Sequence, residues 1–199
     1  MKRLVTLLLL VITSSIFAQK TYYNQAVNSC ADKSSDELIN KCIKGSYLLN
    51  YDFETDKGTM ISTDKIKKPI LLIAAAGWSA PAVAQIPAIN EMVDMYGDKM
   101  EFIVIFWDKK DKIKRFQDRL NPAVKLVPAR DGDKVERGNL DISGFVHKLD
   151  YPTAYLIDKS KKFTDVLRGA ATPSKGVTWD DVNDKNGEDL EAFIQQVIK

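Results

Sequence analysis

Cysteine is scarce in this chain and histidine scarcer: 199 residues contain two cysteines, Cys30 and Cys42, and one histidine, His147. Two cysteines allow at most one intramolecular disulfide, and at this separation they form no Cys-x-x-Cys pair. One histidine among scattered carboxylates makes no metal-site pattern. Asp131-Gly132-Asp133 is too short for a calcium loop and reads as a turn. A Gly-rich phosphate loop, an internal repeat and a low-complexity segment are all missing, so neither a metal nor a cofactor is expected. Charge of one sign is lacking as well, with 29 Lys and Arg against 27 Asp and Glu. That balance excludes the concentrated basic face on which nucleic-acid binding depends.

The one strongly apolar stretch near the start, Leu4 to Ile12, follows Met1-Lys2-Arg3 and precedes Thr13-Ser14-Ser15-Ile16-Phe17-Ala18. A basic start, an apolar core and a small residue before a cut read as a secretory leader, residues 1–18, cleaved near Ala18. The run is shorter than the roughly 20 residues of a bilayer-spanning helix, so no transmembrane anchor is expected after cleavage. Losing Lys2 and Arg3 leaves 27 charges of each sign, a mature protein close to neutral. Export, periplasmic or extracellular, means an oxidising compartment, which makes Cys30 and Cys42 a candidate disulfide.

What is present describes an ordinary soluble protein, 45% apolar and 28% charged. Residues 19–46 read as a helical appendage of two short helices, Thr21 to Ala31 and Asp36 to Lys44. Ser34 and Glu37 have capping-box spacing, and Gly45 sits where a left-handed C-terminal residue is wanted. If the helices form a hairpin, Cys30 and Cys42 lie on either side of its bend. A bridge there closes a small loop and stabilises it by about 2 to 3 kcal/mol.

Residues 47–199 read as one α/β domain. Tyr47 to Glu54 and Thr59 to Ser62 form a β-hairpin turning at Gly58. Pro69 to Ala76 is apolar without alternation, as a strand buried on both faces is. The helix Pro81 to Tyr96 carries an interior proline, Pro87, which bends it. Glu101 to Trp107 is a second buried strand, and Lys109 to Leu120 an amphipathic helix. Asn121 to Asn139 is expected as loop or weakly ordered strand. Asp141 to Lys148 is expected as a short helix with His147 as a surface or capping residue. Strands Ala154 to Asp158 and Phe163 to Arg168 pair antiparallel. Ala170 to Asn186 is a long connection containing Trp179, and Gly187 to Lys199 a closing helix.

Three features in order carry a resemblance. Trp78-Ser79-Ala80-Pro81-Ala82 matches the Trp-Cys-x-Pro-Cys pattern of thioredoxin-like proteins; Pro87 stands where they have a kinking proline; Tyr151-Pro152-Thr153 before a strand is similar to their cis-proline loop. From Asp52 onward the chain most resembles the TlpA/ResA-like periplasmic thiol-disulfide oxidoreductases. The resemblance implies a thioredoxin fold, a central mixed sheet flanked by helices, here with an N-terminal β-hairpin.

In that family the first cysteine is a thiolate at a helix N-terminus and the second resolves the mixed disulfide. Here Ser79 and Ala82 occupy the two positions, so no catalytic residue is expected. Ser79 reads as a helix N-cap; as a nucleophile it would need a base, and His147 is the only histidine. The resemblance further implies a substrate groove between the two loops, lined by Trp78, Ser79, Ala80, Pro81, Tyr151 and Pro152. The alternative for Trp78 is a packing residue under the loop. The expected function is a redox-inactive envelope protein that binds a polypeptide or serves as a subunit of an envelope complex. The alternatives are a displaced redox pair at Cys30 and Cys42, or a small-ligand binder using the groove and the Trp179 segment.

Overall fold

Ile70 to Ala75 has no polar side chain, and such a run is stable as a strand only where both faces are covered. In the computed structural model, which describes residues 20–136 and 139–198, all six are buried. The expected leader lies outside these residues. The strand (β3, Ile70–Ala75) is the centre of a five-stranded mixed sheet. Parallel to it run β4 (Glu101–Lys109) and, beyond that, β5 (Lys125–Ala129). On its other side β9 (Thr153–Ile157) is antiparallel, and β10 (Phe163–Arg168) pairs antiparallel with β9. Ahead of the sheet, β1 (Asp52–Glu54) and β2 (Met60–Ser62) form the expected hairpin.

One face is covered by α3 (Ala80–Ala84), α4 (Ile86–Tyr96), α5 (Lys114–Gln117) and α6 (Trp179–Ile194). Leu71, Ile73, Val104 and Phe106 pack there with Ile86, Ile89, Met92, Leu190 and Phe193. The opposite face is covered by the N-terminal helices, α1 (Tyr23–Ser29) and α2 (Ser35–Glu37, continued as a π-helical turn Leu38–Ile43), together with a small sheet. That sheet is β6 (Lys134–Glu136), β7 (Asn139–Ile142) and β8 (Phe145–His147), all antiparallel. Ser34 caps α2 by accepting from the Glu37 N–H, and Gly45 beyond it takes φ +91°. Cys30 and Cys42 are joined as a disulfide.

Several expected elements differ. Asp141 to Lys148 is a hairpin rather than a helix, because Ser143 and Gly144 adopt φ 51° and 87° and so make a tight two-residue turn. Leu140, Ile142, Phe145 and His147 are buried while Asp141 and Val146 are less so, a period of two. The helix expected over Lys109 to Leu120 shrinks to a 3-10 turn, Lys110–Lys112, and α5; Ile113, Phe116 and Leu120 are nonetheless buried. Within Asn121 to Asn139, β5 is an ordered sheet edge. The closing helix starts at Trp179, eight residues early, because Thr178 and Asp181 form a reciprocal capping box. Gly187 then falls inside α6, where a Cβ would come within 3.0 Å of the Glu91 carboxylate.

His147 is neither at the surface nor capping a helix. It is fully buried in β8, with Nδ1 2.7 Å from the Tyr155 hydroxyl, which in turn accepts from Tyr23 at 3.1 Å. The other ring nitrogen, Nε2, is buried without a hydrogen-bond partner among the described residues. Three aromatic residues from α1, β9 and β8 are thus tied by one buried chain of hydrogen bonds. Burial pushes the His147 pKa down from its ordinary 6.5 to about 4, against a smaller opposing pull from the Leu149 and Asp150 backbone. Below pH 6.5 the unfolded chain therefore takes up a proton that the folded one refuses, and stability falls with pH until about pH 4. The effect is on the order of 3 kcal/mol. In urea titrations across that range, the stability gap between wild type and His147→Gln should shrink by this amount as pH falls. A constant gap would contradict a neutral buried imidazole.

Candidate functional site

The site is assembled where β3 and β4 end at the same edge of the sheet. The N–H of Gly77 donates to the Asp108 carboxylate, which pins the two strand ends together. A Cβ on Gly77 would lie 3.2 Å from Asp108 Oδ2, so a side chain there would press on the carboxylate. Two residues on, Ser79 has extended φ −78°, ψ 111° and caps α3: its Oγ accepts from the Ala82 N–H at 3.4 Å. The same Oγ donates to the Tyr151 carbonyl at 2.9 Å. The single hydroxyl proton is committed to the other loop. Its residue is only 4% exposed, and Ala82 only 3%.

Tyr151-Pro152 is a cis peptide, as the motif resemblance implied. The Tyr151 ring stands edge-on between Trp78, at 5.9 Å between centroids, and Trp107, at 6.0 Å, with His147 at 4.9 Å. Its hydroxyl is buried without a hydrogen-bond partner among the described residues. Burial, and secondarily the Asp108 charge, push the phenol well above its ordinary range. His147 thus reaches Tyr151 and Tyr155, whereas the Ser79 hydroxyl points to a carbonyl. The arrangement supplies Ser79 with no general base.

Between the loops lies a groove of about 830 Å³. Of the residues expected there, Trp78, Ser79, Ala80, Pro81 and Tyr151 line it, and Pro152 is buried behind it. Trp78 is 66% exposed, which removes the alternative of a packing residue under the loop. Sequence reasoning missed Trp107, Leu149 and Asp150. Trp107 had a legible signal, since it lies near the C-terminal end of a strand that runs parallel to β3 and so comes to the same edge. Asp150 is held by Arg168 at 2.7 Å, and Arg168 also reaches Asp36 of α2 at 3.5 Å. Trp179 lies at the start of α6, 58% exposed, and does not line the groove. Among the described residues there is no group of three or more His, Cys, Asp or Glu that could hold a metal, and no helix long and apolar enough to cross a membrane.

With the geometry in place, solved structures identify the fold. A protein described as thiol:disulfide interchange protein DsbE from Chlorobium tepidum superposes with a TM-score of 0.57 at 19% identity, over 78% of this chain and 98% of that one. A thio-disulfide isomerase from Thermus thermophilus gives 0.52 at 18%, over 65% and 88%. The thioredoxin domain of a thiol-disulfide oxidoreductase from Bacteroides vulgatus gives 0.52 at 13%, over 76% and 97%. The chain has the thioredoxin fold. No protein-family model matches it, and no curated protein matches it in sequence.

Replacing Ser79 by Ala removes both the cap and the tie to Tyr151 while keeping the backbone. Urea unfolding should register a loss of about 1 to 2 kcal/mol. A change within error would mean that the hydroxyl holds neither loop.

Proposed function

We propose that this chain is an exported thioredoxin-fold protein of the cell envelope, similar to the TlpA/ResA-like group, that binds an extended polypeptide in the groove and performs no thiol-disulfide exchange there. The observation that carries this is the state of Ser79. Its hydroxyl caps α3 and holds the Tyr151 carbonyl, and an oxygen at that position forms no bridge to a substrate sulfur. Ala82 has nothing with which to resolve one. What is kept is the backbone arrangement and an aromatic surface. An extended peptide can add to backbone beside a cis-proline loop as a strand adds to a sheet edge, which requires no cysteine. Exposed Trp78, with Trp107 and Tyr151, offers the large rigid contact area on which peptide affinity concentrates.

Insulin reduction by dithiothreitol tests the first half. Wild type should not accelerate it, and Ser79→Cys/Ala82→Cys should, because the scaffold for the chemistry is intact. Turnover by wild type that disappears in Ser79→Ala would overturn the reading. For the second half, a cysteine-blocked unfolded polypeptide should bind wild type, with Trp78→Ala and Tyr151→Ala each weakening it about tenfold. Binding indifferent to both changes would remove the groove from consideration.

A further inference from the structure

The disulfide lies outside the groove. Cys30 and Cys42 open onto a separate cavity of about 630 Å³, whose charged lining residues are Lys20, Lys41 and Lys44, with no carboxylate among the lining. We propose that this is a second site: a thiol-disulfide exchange centre that takes a small thiol bearing carboxylates. It goes beyond the groove reading, which it neither uses nor requires.

Access is the first argument. Both cysteines are only partly buried and face the cavity, and disulfides open to solvent are the exchangeable ones, whereas enclosed ones resist reduction. Charge is the second. Lys41 and Lys44 are held by Glu37 at 2.6 Å and Asp165 at 2.8 Å, and Lys20 sits 4.8 Å over the Tyr47 ring. The two ion pairs are exposed or partly exposed and of small net strength, and the third contact is a cation–π one, so the ammonium groups can exchange partners with an incoming carboxylate. Backbone is the third. Cys42 lies in the π-helical turn Leu38–Ile43, an uncommon conformation that recurs at functional sites. Cys30 is the C-cap of α1 and Cys42 the last residue but one of its own helix, so both sulfurs sit at helix C-terminal ends.

The lysines that line the cavity favour a thiolate leaving from either cysteine. An incoming thiolate attacks the Sγ of one cysteine, the S–S bond breaks, and its electron pair leaves on the other. A second thiol, as its thiolate, attacks the ligand sulfur of the mixed disulfide and expels the cysteine that carries it. Two thiols have become one disulfide, and the protein has gained two electrons and, on protonation from water, two protons. Opening the bridge need not undock the helices. Tyr23, Val27, Leu38 and Ile43 are buried in the core, and the Gly45 and Ser46 backbone bonds to Phe163 of β10.

The test mixes the oxidised full chain with glutathione or with cysteamine, a cationic thiol, at matched thiolate concentration. Acid-quenched mixed disulfides are then mapped by mass spectrometry. At low ionic strength glutathione should react at least about tenfold faster than cysteamine, with the preference fading in high salt and the adduct on Cys30 or Cys42. Lys41→Gln/Lys44→Gln should cut the glutathione rate and leave the cysteamine rate no lower. Cys30→Ser/Cys42→Ser, checked for native circular dichroism, sets the background. Equal rates for the two thiols, or no exchange under native conditions, would each overturn the proposal. The assay contains no polypeptide, so such a failure leaves the groove untouched.

Discussion

A strand with six buried residues and no polar side chain has to be covered twice. β3 is that strand, and Ile70, Leu71, Leu72 and Ile73 are each 2% exposed or less. Fully burying such side chains stabilises by about 2 kcal/mol apiece, a total comparable with the net stability of a whole domain. Leaving either face open would forfeit roughly half of it. The chain covers one face with α4 and α6 and the other with its N-terminal helices and the small β6–β8 sheet. Tyr23, Tyr155 and His147 then fasten the second cover to the sheet with hydrogen bonds that are themselves buried.

The same strand decides where the groove lies. β3 and β4 are parallel, so their C-terminal ends emerge together and bring Trp78 and Trp107 to one edge. β9 is antiparallel and begins there, which delivers Tyr151 and Pro152. One hydroxyl closes the arrangement. Through one hydrogen bond Ser79 ties the start of α3 to the Tyr151 loop. The shape of the groove comes from strand ends, a helix start and a cis peptide.

The parts legible in the sequence were those with strong one-dimensional signals. The apolar run Ile70 to Ala75, the Gly77 to Ala82 turn, Pro87 and Tyr151-Pro152 each constrain the backbone almost alone. The sequence also showed the Ser34 cap and the Gly45 end of the second helix. Illegible parts were those where a short signal competed with a longer pattern. In Asp141 to Lys148 a helix was expected, whereas Ser143-Gly144, with φ 51° and 87°, make a hairpin. Thr178 and Asp181 form a capping box that polar surroundings disguised as a connection. Asp150 directly precedes Tyr151, but its pairing with Arg168 of β10 could not be read from the sequence.

That arginine has a further meaning. Arg168 stands between Asp150 on the groove rim and Asp36 on the N-terminal helices, so two distant segments compete for one cation. A guanidinium has donors enough for both, but its charge is shared. Anything that withdraws Asp36 leaves the cation wholly to Asp150 and makes the rim less acidic; anything that occupies Asp150 returns it to the helices. The helical appendage thus touches the rim of the groove through one shared guanidinium, although among the described residues none of its own lines that groove.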